Sequence, residues 1–321
     1  MAQVKGGARW NTDVIQPRHR LAFSLFTKGL AVIRSAPFQT GRNLLVCPGN
    51  NAANPMSKIL VFTDLHLLPE GETVMGLDPG QRLRQGLDHA TTQHPDAALI
   101  VLTGDLSHNG APQEYARLRD ILSGFSIPVC PMLGNHDRRA AFLKAFPETP
   151  TTAQGHVQQV IDLGANRLIL LDTLNEEAAD THSGLLCADR LAWLDARLSE
   201  AVERRCILFT HHPVFATGFK GMDWIGLKSI PELTALLARH QNVAQIISGH
   251  IHRTIQGAIN GIPAAVFKSP CHQMPMALGY QDPRLSVAEP GAYGIILLSD
   301  EGVVVHTEDF TLPDLDSTLY D

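Results

Sequence analysis

IISGHIHRT, residues Ile246 to Thr254, is an apolar run that ends at Gly249 and is followed by two histidines, His250 and His252, one residue apart. Two imidazoles directly after a buried strand are costly unless something partners them. The same arrangement recurs upstream. ILVFTDLH ends in Asp64 and His66, and ALIVLTGDLSHNG passes through Asp105. IPVCPMLGNHDRR reaches Asn135, His136 and Asp137, and CILFTHHPV reaches His211 and His212. In α/β sheets ligands gather beyond the carboxyl ends of the strands. Any one of these blocks is weak evidence, since GNHD on its own is an ordinary turn. Five in succession form a constellation that can hold metal.

The spacing carries a physical expectation. Residues two apart in extended chain point the same way, so Asp64 and His66 should converge on one ion, and His250 and His252 on the same ion or on two adjacent ones. Gly104, Gly134 and Gly249 each precede a candidate ligand and should permit a sharp exit from the strand. Carboxylate, imidazole and amide donors together suit Mn, Fe, Zn or Co better than a thiolate-loving ion.

From Met56 onward the chain alternates strand and helix patterns. KILVF and AALIVLTGD are as apolar as strands buried on both faces should be. Between them Leu83, Leu87 and Ala90 share one helical face, and Leu191, Leu194, Leu198 and Val202 do the same further on. Ser229 and Glu232 have the spacing of a capping box opening a helix to about Arg239. After residue 253 the pattern turns to hairpins, the first reversing at Asn260-Gly261. No internal repeat or low-complexity tract interrupts this. The reading is one α/β domain over 56–321 with a β-rich C-terminal part.

Residues 1–55 differ. They carry seven Lys or Arg and one acid, Asp13, and CPGNNAANP breaks any structure before Met56. Lys28 interrupts their apolar part, which starts too far in for a good signal peptide. A mobile or mis-assigned extension is the expectation. The 321-residue chain has net charge −6 and no apolar run near the roughly 18 residues of a membrane span. A chain this acidic argues against stable binding to nucleic acid. It does not exclude an enzyme that cuts phosphate esters, because metals supply positive charge locally. Five scattered cysteines without a CxxC pair fit a reducing cytoplasm.

The ordered set D-x-H, G-D, G-N-H-D, H and G-H-x-H over residues 64–252 resembles the calcineurin-like metallophosphoesterase superfamily. Within it, GNHD, HHP and the chain's size look most like the class III cyclic nucleotide phosphodiesterases and the bacterial glycerophosphodiesterases. The resemblance implies a four-layer α-β-β-α sandwich with its metal site at the C-terminal ends of the strands. One cation would take Asp64, His66, Asp105 and His252. The other would take Asp105, Asn135, His211 and His250, with Asp105 shared. The family pattern places the ligand two residues before the proline, which selects His211 over His212. His136 would face the phosphate and protonate the leaving oxygen, with Asp137 orienting it from behind. Asn135, His136, His212 and His272 are the candidates for substrate contact. Two such cations lower the pKa of a shared water and neutralise phosphate charge.

The second block is GDLSHNG, without the arginine that phosphoprotein phosphatases of the superfamily carry there. The expected substrate is therefore a small diester, a 3′,5′-cyclic nucleotide or a glycerophosphodiester. A phosphomonoesterase is the alternative within the superfamily, a nuclease is a weaker one, and a non-catalytic scaffold is the alternative outside enzymes. Leu67–Gly80, Val214–Gly226 and Cys271–Pro283 should wall the pocket, with Trp224 and Met274 among the apolar residues. Their other use would be contact with a second copy of the chain. His108 and Asn109 follow Asp105 closely enough to reach the pocket. His89, His94, His156, His182 and His240 read as ordinary surface residues.

Overall fold

The computed structural model describes residues 56–312. The expectations for residues 1–55 lie outside the described residues. The first sheet holds β1 (Met56–Phe62), β2 (Leu99–Leu102), β3 (Val129–Pro131), β10 (Ala292–Ser299) and β11 (Val303–Asp309), in the order β11-β10-β1-β2-β3. The second holds β4 (Gln159–Leu163), β5 (Asn166–Leu170), β6 (Arg205–Phe209), β7 (Val243–Ser248), β8 (Ile255–Ile259) and β9 (Ile262–Val266), in the order β4-β5-β6-β7-β9-β8. β1, β2 and β3 are parallel, as are β5, β6, β7 and β9. The outer strands β10, β11, β4 and β8 pair antiparallel.

Alternation along β1 shows how the layers form. Ile59 and Val61 face the second sheet, where they meet Leu168, Leu170, Ile207, Phe209 and Ile247. Leu60 and Phe62 face the other way, into a core with Leu83, Leu87 and Ala90 of α1 (Pro79–Gln93) and Tyr115 and Leu118 of α2 (Pro112–Leu122). The back of the second sheet, including Ile169, Leu208 and Ile246, is covered by α4 (Ala188–Ser199) and α6 (Ile230–Leu237). Each buried aliphatic or aromatic side chain contributes about 1.5–3 kcal/mol before the entropy of ordering it is subtracted. The order of layers is therefore helix, sheet, sheet, helix, the sandwich that the strand-helix alternation implies. Two short helices, α3 (Arg139–Ala145) and α5 (Lys220–Trp224), lie in the connections after β3 and β6.

Four local expectations meet different outcomes. Leu83, Leu87 and Ala90 are buried as their spacing requires. Val202 is 67% exposed, because α4 ends at Ser199 and the apolar stripe outlives the helix. The capping box at Ser229 does not form; its Oγ instead accepts the Leu186 N–H at 2.8 Å, tying α6 to the segment before α4. The hairpin β8–β9 turns at Asn260 and Gly261 with φ of 52° and 78°, the left-handed pair that such a turn demands. The β4–β5 hairpin carries no turn signal of that kind in the sequence. Among the described residues no helix is long and apolar enough to cross a membrane.

Candidate metal centre

The carboxyl ends of β1, β2, β3, β6 and β7 open on the same side of the seam between the sheets. Asp64 and His66 follow β1, Asp105 follows β2, Asn135 follows β3, His211 follows β6, and His250 and His252 follow β7. Cross-seam hydrogen bonds fix this edge. His211 Nδ1–H donates to Thr103 O at 2.9 Å, and the His250 backbone N–H donates to both carboxylate oxygens of Asp64 at 3.0 Å. Ser269 Oγ donates to Asp64 O at 2.7 Å.

Asp64, His66, Asp105, His250 and His252 all have positive φ, between 47° and 72°. The convergence expected from extended pleats is therefore achieved differently: both paired-ligand turns place their ligands in the left-handed region. That conformation costs about 1–2 kcal/mol per residue for side chains with a Cβ. Strain of this kind persists where surrounding bonds over-determine it, commonly at functional sites. Gly104 takes φ +99°, and a Cβ on Gly249 would overlap Thr63 Oγ1. The first glycine is needed for its backbone angle, the second for close approach.

Two nests of donor atoms result. In the first, His66 Nε2 and His252 Nε2 are 3.0 Å apart, Asp105 Oδ2 is 3.7 Å from His66 Nε2, and Asp64 Oδ1 is 3.5 Å from His252 Nε2. In the second, Asn135 Oδ1 lies 3.0 Å from His211 Nε2 and 2.9 Å from His250 Nδ1, and Asp105 Oδ2 is 3.4 Å from His211 Nε2. Asp105 reaches both. All seven candidate ligands are brought together, and all are buried.

The donor set fits a pair of cations. Asp64 and Asp105 are 0% and 2% exposed, and their ion-pair partners among the described residues are histidines. Burial opposes charge on His211, yet Asp105 beside it pushes its pKa up to about 9. Burial opposes charge on His252 as well, and Asp64 raises it. Two buried carboxylates thus draw positive charge onto whatever lies between them. His66 and His250 are held well below the ordinary value, by burial first and by neighbouring histidines next, so they present neutral lone pairs. Neutral imidazole is the form that binds metal. His66 Nδ1 and His250 Nε2 are buried with no hydrogen-bond partner.

The sequence pattern of calcineurin-like phosphoesterases matches residues 57–254. The chain belongs to this family. A protein of Rhodopseudomonas palustris named a probable cyclic nucleotide phosphodiesterase is 38% identical over 250 residues, covering 78% of this chain and 91% of that protein. A protein of Arcobacter nitrofigilis named a probable glycerophosphodiester phosphodiesterase is 27% identical over 253 residues, covering 78% and 92%. In fold, the chain is similar to a dimetal phosphatase from Danio rerio, with TM-score 0.62 at 16% identity over 80% of this chain and 98% of that one.

Around this family centre the remaining candidates fall into different places. His136 lines the cleft; its Nδ1–H donates to His108 O at 2.7 Å and its backbone N–H to Asp105 Oδ1 at 2.8 Å. Asp137 does not reach the His136 ring. Its carboxylate accepts from the Gly134, Leu106 and Ser107 N–H groups and from the Ser107 and Tyr115 hydroxyls, at 2.9–3.2 Å. It pins the turn after β3 to the turn after β2 and so positions Asp105 and Asn135. His212 is 0% exposed, with Nδ1 bonded to the Thr173 hydroxyl and Nε2–H donating to His182 O, both at 2.9 Å. Both nitrogens are spent inside the protein, and it does not line the cleft. His272 does line it, 7% exposed with Nδ1 unpartnered, and its carbonyl accepts His252 Nδ1–H at 2.9 Å. His108 lines the cleft, whereas Asn109 turns to Glu114, with its Nδ2 2.8 Å from Oε1.

His182 is the residue sequence reasoning missed. It is half-buried in the cleft wall, and its Nδ1 accepts from Asn135 Nδ2 at 3.1 Å, turning Oδ1 of Asn135 to the second nest. It sits in an irregular segment far from any strand end, so no local pattern marks it. Of the walls, Val74, Met222, Ile225, Met274 and Pro283 line the cleft from the three expected loops, while Trp224 is 63% exposed and does not.

Proposed function

We propose that this chain hydrolyses small phosphodiesters with two bound cations, and that a 3′,5′-cyclic nucleotide is the substrate its cleft suits best. The observation that carries the reading is the cleft itself, about 270 Å³, with the His/Asp/Asn nests on its floor and Val74, Met222, Ile225, Ile251, Met274 and Leu285 on its walls. That volume sits at the small end of ligand pockets, which favours a mononucleotide over a polymer. A planar base gains burial and dispersion against such a wall, and methionines adapt to its outline.

Asp64, His66, Asp105 and His252 would hold one cation, and Asp105, Asn135, His211 and His250 the other. Cations there, drawn from Mn, Fe, Zn or Co by the mixed donor set, would lower the pKa of water and neutralise phosphate charge. The protein's own part in proton transfer falls to His136. A carbonyl only accepts, so Nδ1 carries the hydrogen bonded to His108 O. Nε2 is left to face the cleft and, in the doubly protonated ring, to deliver a proton to the departing ribose oxygen. Asp137 and His182 act through other residues, the first on the Asp105 and Asn135 turns and the second on the Asn135 amide. Cys187, Cys206 and Cys271 carry free thiols, which supports a reducing, cytoplasmic setting.

The test is steady-state hydrolysis of a 3′,5′-cyclic nucleotide, a glycerophosphodiester and an aryl phosphomonoester, with Mn²⁺ and with chelator, beside His136→Ala. The reading expects chelator-sensitive turnover with the highest kcat/KM on the cyclic nucleotide, largely lost in the variant. Preference for the glycerophosphodiester would move the substrate to that class, and preference for the monoester would sink the diesterase reading.

A further inference from the structure

A histidine that gives one nitrogen to a metal ordinarily donates its other N–H to a carbonyl or carboxylate. His211 and His252 do so, to Thr103 O and His272 O, both at 2.9 Å. His66 does not. Its Nε2 is turned toward His252 and Asp105, which leaves Nδ1, buried and without a partner.

The surroundings of the His66 ring are unusual. His108 and His136 flank the His66 ring, with centroids at 5.4 and 4.6 Å, and stand 5.4 Å from each other. One ring nitrogen from each of the three lies within 4.8 Å of the other two. His136 has Nδ1 engaged and Nε2 free, and His108 Nδ1 is buried without a partner. The binuclear reading uses neither His108 nor His136 as a ligand.

We propose that His66, His108 and His136 form a third cation site in the cleft, for a nitrogen-preferring ion such as Zn²⁺, and that filling it inhibits the enzyme. Nitrogens on one tetrahedral zinc stand about 3.3 Å apart, given Zn–N bonds of about 2.0–2.1 Å. His108 and His136 are both only half-buried, so small ring rotations close the difference. Solvent completes the coordination from the cleft. His66 would offer Nδ1 to this ion, giving up the Nδ1 proton to solvent, while Nε2 stays turned toward His252 and Asp105. The ion on His136 Nε2 occupies the nitrogen that would otherwise serve the leaving oxygen. The inhibition rests on the role of His136 proposed above; the binding does not.

The experiment loads the purified protein with its first two cations, titrates Zn²⁺ by calorimetry and counts bound metal after desalting, in wild type, His108→Ala and His108→Gln. Both variants keep the His108 backbone carbonyl that holds His136. Wild type is expected to take a third equivalent and to lose activity as it fills. The variants should stop at two equivalents, with the inhibitory Zn²⁺ concentration raised on the order of tenfold or more. A wild type that saturates at two, or variants that bind the third ion as tightly, would overturn the proposal. Failure of the binuclear reading would register separately, as fewer than two equivalents before zinc is added.

Discussion

The turns after β1 and β7 are built alike. Each places two ligands one residue apart, each takes positive φ at both, and the two interlock through the His250 N–H bonds to Asp64. The loops that wall the cleft share no such plan. Val74, Met222 and Met274 arrive from three connections of unlike length and composition. The floor is held by backbone angles, cross-seam bonds and buried carboxylates, whereas the walls are held by apolar packing that tolerates exchange. Chemistry is therefore written into short local patterns, and substrate choice into dispersed ones.

That contrast can be broken by substitution, most severely on the floor. Asp105→Ala removes the carboxylate common to both nests; it should abolish stable binding of both cations and cost about 10⁴-fold or more in kcat/KM, as metal analysis beside kinetics would show. If one cation stayed bound, Asp105 would not be shared. His136→Ala should keep both cations and lower kcat about 10²–10³-fold, the range of a lost general acid. Metal loss in that variant would mean the ring is structural. For His182→Ala, affinity for the second cation should fall about 10–100-fold. His182→Gln, whose amide oxygen can accept from Asn135 Nδ2, should restore much of it; equal loss in both would assign His182 to packing alone.

The smallest effect belongs to the wall. Met274→Ala should raise KM for a cyclic nucleotide about tenfold while leaving kcat and metal content alone, since one apolar contact discriminates by only about 1–3 kcal/mol. A large fall in kcat instead would put Met274 on the floor side of the comparison.

The same contrast explains what could be read from sequence. All seven candidate ligands were legible because each follows an apolar strand in a short motif, and Leu83, Leu87 and Ala90 were legible because a helix face repeats. The means of convergence was not, since nothing in D-x-H announces left-handed backbone. Asp137 and Ser229 have sequence neighbours that suggest one hydrogen bond, yet tertiary partners claim them. His182 was hidden because it meets Asn135 across 47 residues of chain, from a segment without periodicity.

The most direct test of the central claim is diffraction from Mn²⁺-loaded crystals at the manganese edge. The account predicts two anomalous peaks that share Asp105, one also touching Asp64, His66 and His252, the other Asn135, His211 and His250. A single peak, or peaks that leave Asn135 or Asp64 without a metal, would contradict it.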